Sequence, residues 1–137
     1  MTDKAKIDLE NLILLAGQHA SDNGEVCLLE ACALMAGEPK TDHPKCVYSV
    51  FAAAGRVVND GPWGSDEART KYLRAYIPRL VGTSHLAGDP ARDARVALAA
   101  ADVARRFVAE FDAALTPGER MAKNAPVLMD ALIEAAK

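Results

Sequence analysis

Apolar residues recur along the chain at intervals of three and four positions, the spacing of residues on one face of an α-helix. The clearest series predicts a helix that begins at His43 and Pro44. Its apolar stripe consists of Val47, Val50, Phe51, Ala54 and Val58. No segment shows the alternation of a half-buried strand. The pattern therefore predicts an all-α protein, a compact single-domain bundle of six to seven helices over residues 1–137.

A helix is also predicted at the start of the chain. It begins near Thr2 or Asp3 and ends at Gly17, a residue type that commonly terminates helices. Its buried side is expected to contain Leu9, Leu12, Ile13 and Ala16.

Capping residues set the limits of the second predicted helix. Asp22 is a favoured N-cap residue, and Glu25 three positions later completes a pair like a capping box. The helix is expected to end near Ala36, because Gly37 and then Pro39 follow.

The segment "NDGPWGS" separates the third predicted helix from the fourth. Ser65 is the expected N-cap of the fourth helix. That helix carries Tyr72 and Tyr76 one turn apart, and Pro78 is expected to break it near Ile77.

Two further helix starts share one pattern, an N-cap followed by proline at the first helical position. These are Asp89 with Pro90, and Thr116 with Pro117, while Pro126 is expected to kink or restart the last helix. The inner stripe of the longest helix is predicted to be Val96, Ala100, Val103, Phe107 and Phe111. The last helix is expected to bury Leu128, Ala131, Leu132 and Ala135.

Composition narrows the class of protein. Half of the residues are apolar, 26% are charged and the net charge is −3, which is typical of a globular domain and argues against a generally basic nucleic-acid binder. The N-terminal residues include acidic side chains, and the longest apolar run there is short, so we expect neither a signal peptide nor a membrane span. Three cysteines and no export signal favour free thiols in the cytoplasm.

Cysteine and histidine residues suggest a zinc site. Cys27 and Cys32 are five positions apart, so about 140° separates them around a helix axis and they cannot easily bind one ion together. Cys32 therefore fits a small core residue. A set of His19, Cys27, His43 and Cys46 would supply the nitrogen and sulfur ligands that zinc prefers.

The same region also suggests a reactive thiol. With His43 as N-cap and Pro44 at the first helical position, Cys46 would lie in the first turn, where the helix dipole favours a thiolate. Glu30 could then orient the His43 imidazole. The alternative is purely structural: Asp42 and His43 cap the helix while Cys46 packs inward.

Two features suggest binding of a macromolecule. The first is a basic segment over residues 69–79, whose cations are Arg69, Lys71, Arg74 and Arg79. Tyr72 and Tyr76 lie among them, an arrangement that can hold a nucleic-acid strand but is also typical of tyrosines facing a core. Trp63 is expected to be either an exposed interface anchor or a lid over one end of the bundle.

The run "EVCLLEACALMAGEPKTDHPKCVYSVFAAAGRVVNDG" resembles a group of small uncharacterised helical proteins of actinobacteria and their phages. The likeness continues through "YIPRLVGTS" and covers most of residues 19–84. Matching parts include His19, Cys27, Glu30, "AGEP", "DHPKCV" and "ND", while Lys40 stands where members have an aromatic residue. The resemblance implies a helical fold and a genomic setting, and no activity.

These observations favour a cytoplasmic, non-enzymatic protein that binds another protein, such as a phage accessory factor directed at a host component. Trp63, Tyr72 and Arg74 are the candidate contacts with that partner. The alternatives are a metal-binding or thiol-dependent enzyme centred on Cys46 and His43, and a weak nucleic-acid binder that uses the Arg69–Arg79 face. Self-association is also left open, and no cofactor other than zinc is suggested.

Overall fold

The computed structural model describes residues 8–17 and 25–137. The α-helices are α1 (Leu28–Met35), α2 (Ser49–Asn59), α3 (Asp66–Leu73), α4 (Tyr76–Leu80), α5 (Pro90–Ala109) and α6 (Pro117–Ala135). Two short strands, β1 (Ile13–Leu14) and β2 (Glu25–Val26), and a 3₁₀ turn at Ser84–Leu86 complete the regular structure of the described part. The prediction of an all-α fold is confirmed.

The prediction of a first helix is wrong over residues 8–17, where the chain forms turns and β1. This strand pairs in parallel with β2, and Ile13 lies opposite Glu25. Leu14 is fully buried and its N–H donates to Thr70 Oγ1 at 2.8 Å, whereas Ile13 is 45% exposed. Inward and outward side chains thus alternate as in a strand. Residues 1–7 of the predicted helix lie outside the described residues.

Helix α1 corresponds to the second predicted helix, but it begins later than expected. Its N-cap is Cys27, whose thiol accepts a hydrogen bond from the backbone N–H of Glu30 at 3.4 Å. The Glu30 carboxylate completes a capping box by accepting from the N–H of Cys27 at 2.8 Å. Asp22, the expected cap, lies outside the described residues. The predicted end is confirmed, since the helix closes at Ala36 and Gly37 has φ +80°.

Helix α2 begins at Ser49 rather than at His43 and Pro44. Residues 37–48 form a loop instead, and the predicted helix start lies inside it. The predicted stripe is largely correct, because Val47, Phe51 and Val58 are buried. A methyl group at Gly55 would lie 3.0 Å from Leu29, so α2 and α1 approach closely at this glycine.

Helix α3 starts as predicted, with Ser65 Oγ accepting from the N–H of Ala68 at 3.1 Å. The chain breaks after Arg74, earlier than expected, and Tyr72 and Tyr76 therefore belong to different helices. Pro78 does not cause the break. It lies in the first turn of α4, where a backbone N–H has no partner within the helix.

The caps of α5 and α6 are confirmed, with Asp89 and Thr116 accepting hydrogen bonds from the first turns. Helix α6 is continuous, so Pro126 does not restart it. Its buried residues are Ala125, Met129 and Leu132, and of the predicted set Leu132 is fully buried while Leu128, Ala131 and Ala135 are partly buried. The buried side of α6 is therefore rotated from the predicted one.

Phe111 was expected inside but is 59% exposed, because α5 ends before it.

The core forms around α1, which packs against α2 and α4, while α6 packs against α2, α3 and α5. The largest buried side chains of the core include Tyr48, Phe51, Leu28, Leu29, Leu73, Ile77, Leu80 and Met129. None of the helices in the described ranges combines the length and the apolar character that crossing a bilayer requires.

Candidate functional site

The loop between α1 and α2 is fixed by one carboxylate. Glu38 accepts backbone N–H groups from Lys45 at 2.8 Å and from Cys46 at 2.9 Å. The carbonyl oxygen of Cys46 in turn accepts from the N–H groups of Gly82 and Ser84 at 3.0 and 3.2 Å. The segment "DHPKC" is thus held by tertiary hydrogen bonds, and the expected helix start is not formed.

The hypothesis of a reactive thiol required Cys46 to lie in the first turn of a helix, and the structure does not place it there. Cys46 precedes α2 and does not lie in its first turn. Burial, and after it the hydrogen bond to Glu38 and the charge of Glu38, together raise the pKa of the Cys46 thiol to about 11. The expectation that Cys46 favours a thiolate is therefore wrong.

His43 and Glu30 occupy different environments. The His43 side chain is 70% exposed, and its Nδ1 lies 2.7 Å from Asp42 Oδ1. Glu30 is fully buried in α1, where its carboxylate serves the capping box with Cys27. The imidazole thus lies on the surface, and the expected role of His43 as the N-cap of a helix is wrong.

The zinc candidates do not assemble in the described part of the chain. Cys27 is 3% exposed and caps α1, and burial raises the pKa of its thiol to about 12. Cys32 is fully buried, as expected of a core residue. His19 lies outside the described residues. Within residues 8–17 and 25–137, no group of three or more histidine, cysteine or carboxylate side chains is arranged to hold a metal ion.

The Trp63 ring is not an exposed anchor. It is 2% exposed, its Nε1 donates to the carbonyl of Val58 at 2.7 Å, and it stacks on Tyr72 with ring centroids 5.9 Å apart. The ring lies in the segment that follows α2 and is held by Val58 of α2 and Tyr72 of α3, since the hydrogen bond satisfies its polar atom and the stack fills its face. The expectation of an exposed ring is wrong, and the position fits the alternative of a lid.

The three arginines of the Arg69–Arg79 face serve the fold. Arg69 is buried, donates to the carbonyl of Asn59 at 2.6 Å and pairs with an aspartate of its own helix. Arg74 donates to two backbone carbonyls of the N-terminal segment. Arg79 pairs with Asp130 at 3.0 Å. Donors used in this way are not free for phosphate groups, so the face is a poor match to a nucleic-acid strand.

Helix α5 has a second apolar face that the sequence analysis missed. Val96 and Val103 are buried on the side that faces α6. On the other side, Leu98 is 69% and Val108 is 80% exposed. At about 100° per residue, these two lie on the side of the helix opposite the buried valines.

We call this face the α5 outer stripe. Its members are Leu98, Ala101, Arg105 and Val108. Their spacing of three, four and three positions is that of residues that meet a partner helix. Arg105 lies within the stripe, 3.6 Å from Asp102, and both side chains are largely exposed. The spacing of these residues was visible in the sequence, but the inner stripe of the same helix was taken as its whole apolar pattern.

Comparisons with models of protein families, with curated proteins and with solved structures found no match to this chain.

Proposed function

We propose that the protein acts by binding another protein through the α5 outer stripe. The observation that carries this proposal is that α5 exposes Leu98 and Val108 on the side opposite its packed face. Single exposed apolar residues are ordinary on protein surfaces, but a row at helical spacing offers a continuous contact. Fully burying each such side chain stabilises a complex by about 1.5–3 kcal/mol.

The occupant we propose is an amphipathic helix of a partner protein. The stripe has the three- and four-residue spacing that a second helix matches, and Ala101 between the two large side chains lets that helix approach closely. Arg105 has further donors beyond its pair with Asp102, and an acidic side chain opposite it would satisfy them when water is excluded. The partner helix is therefore expected to combine apolar residues with at least one carboxylate.

The remaining chemistry supports a binding role over a catalytic one. The thiol of Cys46 has a raised pKa, and the arginines of the Arg69–Arg79 face bond to other groups of the chain. We place the interaction in the cytoplasm of an actinobacterium, with the chain as a cellular or phage accessory factor, in line with the resemblance noted above. The candidates Trp63, Tyr72 and Arg74 give way to the outer stripe in this proposal, because their side chains are engaged inside the molecule.

The test is affinity capture from an actinobacterial lysate with the natural chain and with a Leu98→Glu/Val108→Glu variant. We expect a stoichiometric partner whose purified form binds the natural chain and binds the variant about tenfold or more weakly. Val57→Glu is the matched control, since Val57 is 71% exposed but lies on α2. Thermal unfolding should show that all three proteins are folded.

Two outcomes would overturn the proposal. A partner that binds the outer-stripe variant as tightly as the natural chain would place the interface elsewhere. Sedimentation showing a dimer of the natural chain that the variant loses would make a second copy the occupant of the stripe.

A further inference from the structure

A groove of about 540 Å³ lies open on the surface between the start of α3 and the start of α6. Residues 62–64 line it from the segment before α3, and residues 116–119 line it from the start of α6. Ala68 of α3 and Ala122 of α6 complete its lining among the described residues. We call it the α3–α6 groove. Its volume is in the range of sites that take a small molecule or a few side chains of a peptide.

The two walls of the groove are joined where their backbones meet. Gly118 packs against the backbone carbonyl of Trp63, at a place where a side chain would not fit. The Trp63 ring is fixed in turn, because its Nε1 donates to the carbonyl of Val58 at 2.7 Å and its face stacks on Tyr72. The shape of the groove is therefore set by the fold and does not need a ligand in order to form.

The lining of the groove is mainly apolar. Apart from Thr116 and Glu119, its residues in the described part of the chain are proline, glycine, alanine and tryptophan. Covering such a surface removes it from water, which is the dominant favourable term in most protein association. The groove is therefore suited to an apolar group of an occupant.

Glu119 is exposed, and its carboxylate is only partly used. Oε1 accepts the N–H of Thr116 at 2.8 Å in the capping box of α6, while Oε2 has no hydrogen-bond or ion-pair partner within the described ranges. The hydrogen bonds with Thr116 hold the pKa of this carboxyl below its ordinary value, so the group is ionised at neutral pH. No basic side chain of the described residues lines the groove. A cation on the occupant would therefore meet an unpaired negative charge.

We propose that the α3–α6 groove binds an apolar side chain of a partner's peptide segment that has a lysine or arginine beside it. The apolar lining takes the side chain, and Glu119 pairs with the neighbouring cation. Nucleic acids and phosphate groups do not match this chemistry, because the charge that lines the groove is negative. A small molecule is a poorer match, since several polar groups usually converge on such ligands. The inference goes beyond the proposed function, because it uses α3 and α6 and not the α5 outer stripe.

The test follows the backbone amide resonances of Gly64 and Gly118 by ¹⁵N NMR while a blocked Lys-Leu-Lys peptide is added to the natural chain at low salt. We expect both resonances to shift in a saturable manner. A Lys-Ser-Lys peptide lacks the apolar side chain, and a Glu-Leu-Glu peptide reverses the charge. Each of these control peptides should bind severalfold more weakly.

Two substitutions separate the apolar part of the proposal from the electrostatic part. Ala122→Leu fills the groove and should weaken binding of Lys-Leu-Lys about tenfold or more, whereas Ala53→Leu, at an exposed position of α2, should bind as the natural chain does. Glu119→Gln keeps a capping-box residue but removes the charge, and should weaken binding about two- to fivefold. Glu134→Gln removes the same charge at the other end of α6 and should have little effect.

The inference is overturned if the Gly64 and Gly118 resonances do not move, if either control peptide binds as tightly, or if folded Ala122→Leu binds as tightly as the natural chain. Shifts that follow protein concentration without any peptide would also overturn it, since a second copy would then occupy the groove. If Ala122→Leu fails to fold, Ala68→Leu serves as the second variant. The Leu98→Glu/Val108→Glu variant should bind the peptide normally, so failure of this inference and failure of the proposed function can be told apart.

Discussion

The carboxylate of Glu38 acts on both the shape and the reactivity of the α1–α2 loop. Burial tends to raise its pKa, but hydrogen bonds from the Cys46 thiol and from the N–H groups of Lys45 and Cys46 prevail and lower it. A carboxyl group with a lowered pKa stabilises the fold above its ordinary pKa. That contribution is lost as the pH falls through the lowered value.

The effect of Glu38 on Cys46 can be measured by alkylation. With a pKa of about 11, about one thousandth of the Cys46 thiol is ionised at pH 8. Glu38→Gln removes the neighbouring negative charge, so the pKa of Cys46 should fall and its alkylation at pH 8 should become severalfold faster. Mass mapping after iodoacetamide treatment measures the rate at each cysteine.

The buried thiols of Cys27 and Cys32 are the internal control for this experiment. Their slow alkylation should not change, because a general loosening of the fold would accelerate all three cysteines together. An unchanged rate at Cys46 would show that Glu38 does not govern its ionisation.

Single residues were predictable from sequence where their contacts are local. Ser65, Asp89 and Thr116 cap helices through hydrogen bonds to residues two or three positions away. Glu38 was missed because its acceptor role spans seven and eight positions and leaves no periodic signal. The role of Arg74 in the fold was missed, and the residue was taken as a binding contact, because its partners lie more than sixty positions away.

At the scale of elements, the start of α6 packs against the segment that carries Trp63. A methyl group added at Gly118 would meet the backbone carbonyl of Trp63, which cannot move without shifting the chain. A methyl group added at Gly61 would meet the end of the Met121 side chain, which is flexible.

This difference predicts unequal costs for two alanine substitutions. Gly118→Ala should lower the free energy of unfolding by about 1–3 kcal/mol, because the backbone must shift. Gly61→Ala should cost less than about 1 kcal/mol, because Met121 can change rotamer. Urea unfolding of both variants beside the natural chain gives the comparison, and equal costs would contradict close packing at Gly118.

The elements themselves were predictable to different degrees. Helices α3, α5 and α6 were predicted from their caps, since each has a strong local start signal. Strand β1 was mistaken for helix because apolar residues at 9, 12, 13 and 16 also fit a helical stripe. What fixes the strand is its pairing with β2 and the bond from Leu14 to Thr70, a contact over 56 positions.

Across the whole molecule, α5 is the least deeply packed of the long helices. Among its twenty residues, Val96 and Val103 are buried, and its main packing partner is α6. The Tyr48 hydroxyl bonds to Asp93 and ties the start of α5 to the core. The C-terminal half of α5 therefore buries few side chains and also carries much of the proposed binding surface.

This arrangement predicts how amide protons exchange with solvent. Amides at residues 103–109 of α5 should exchange faster than those at residues 129–133 of α6, because few buried side chains oppose local opening of α5. Tyr48→Phe should accelerate exchange in α5 further and leave α1 unchanged, since it removes the tie to Asp93. Hydrogen exchange read by mass spectrometry resolves these segments. Equal protection of α5 and α6 would show that α5 is as firmly held as the core, and binding of a partner to the outer stripe should slow exchange in α5 most.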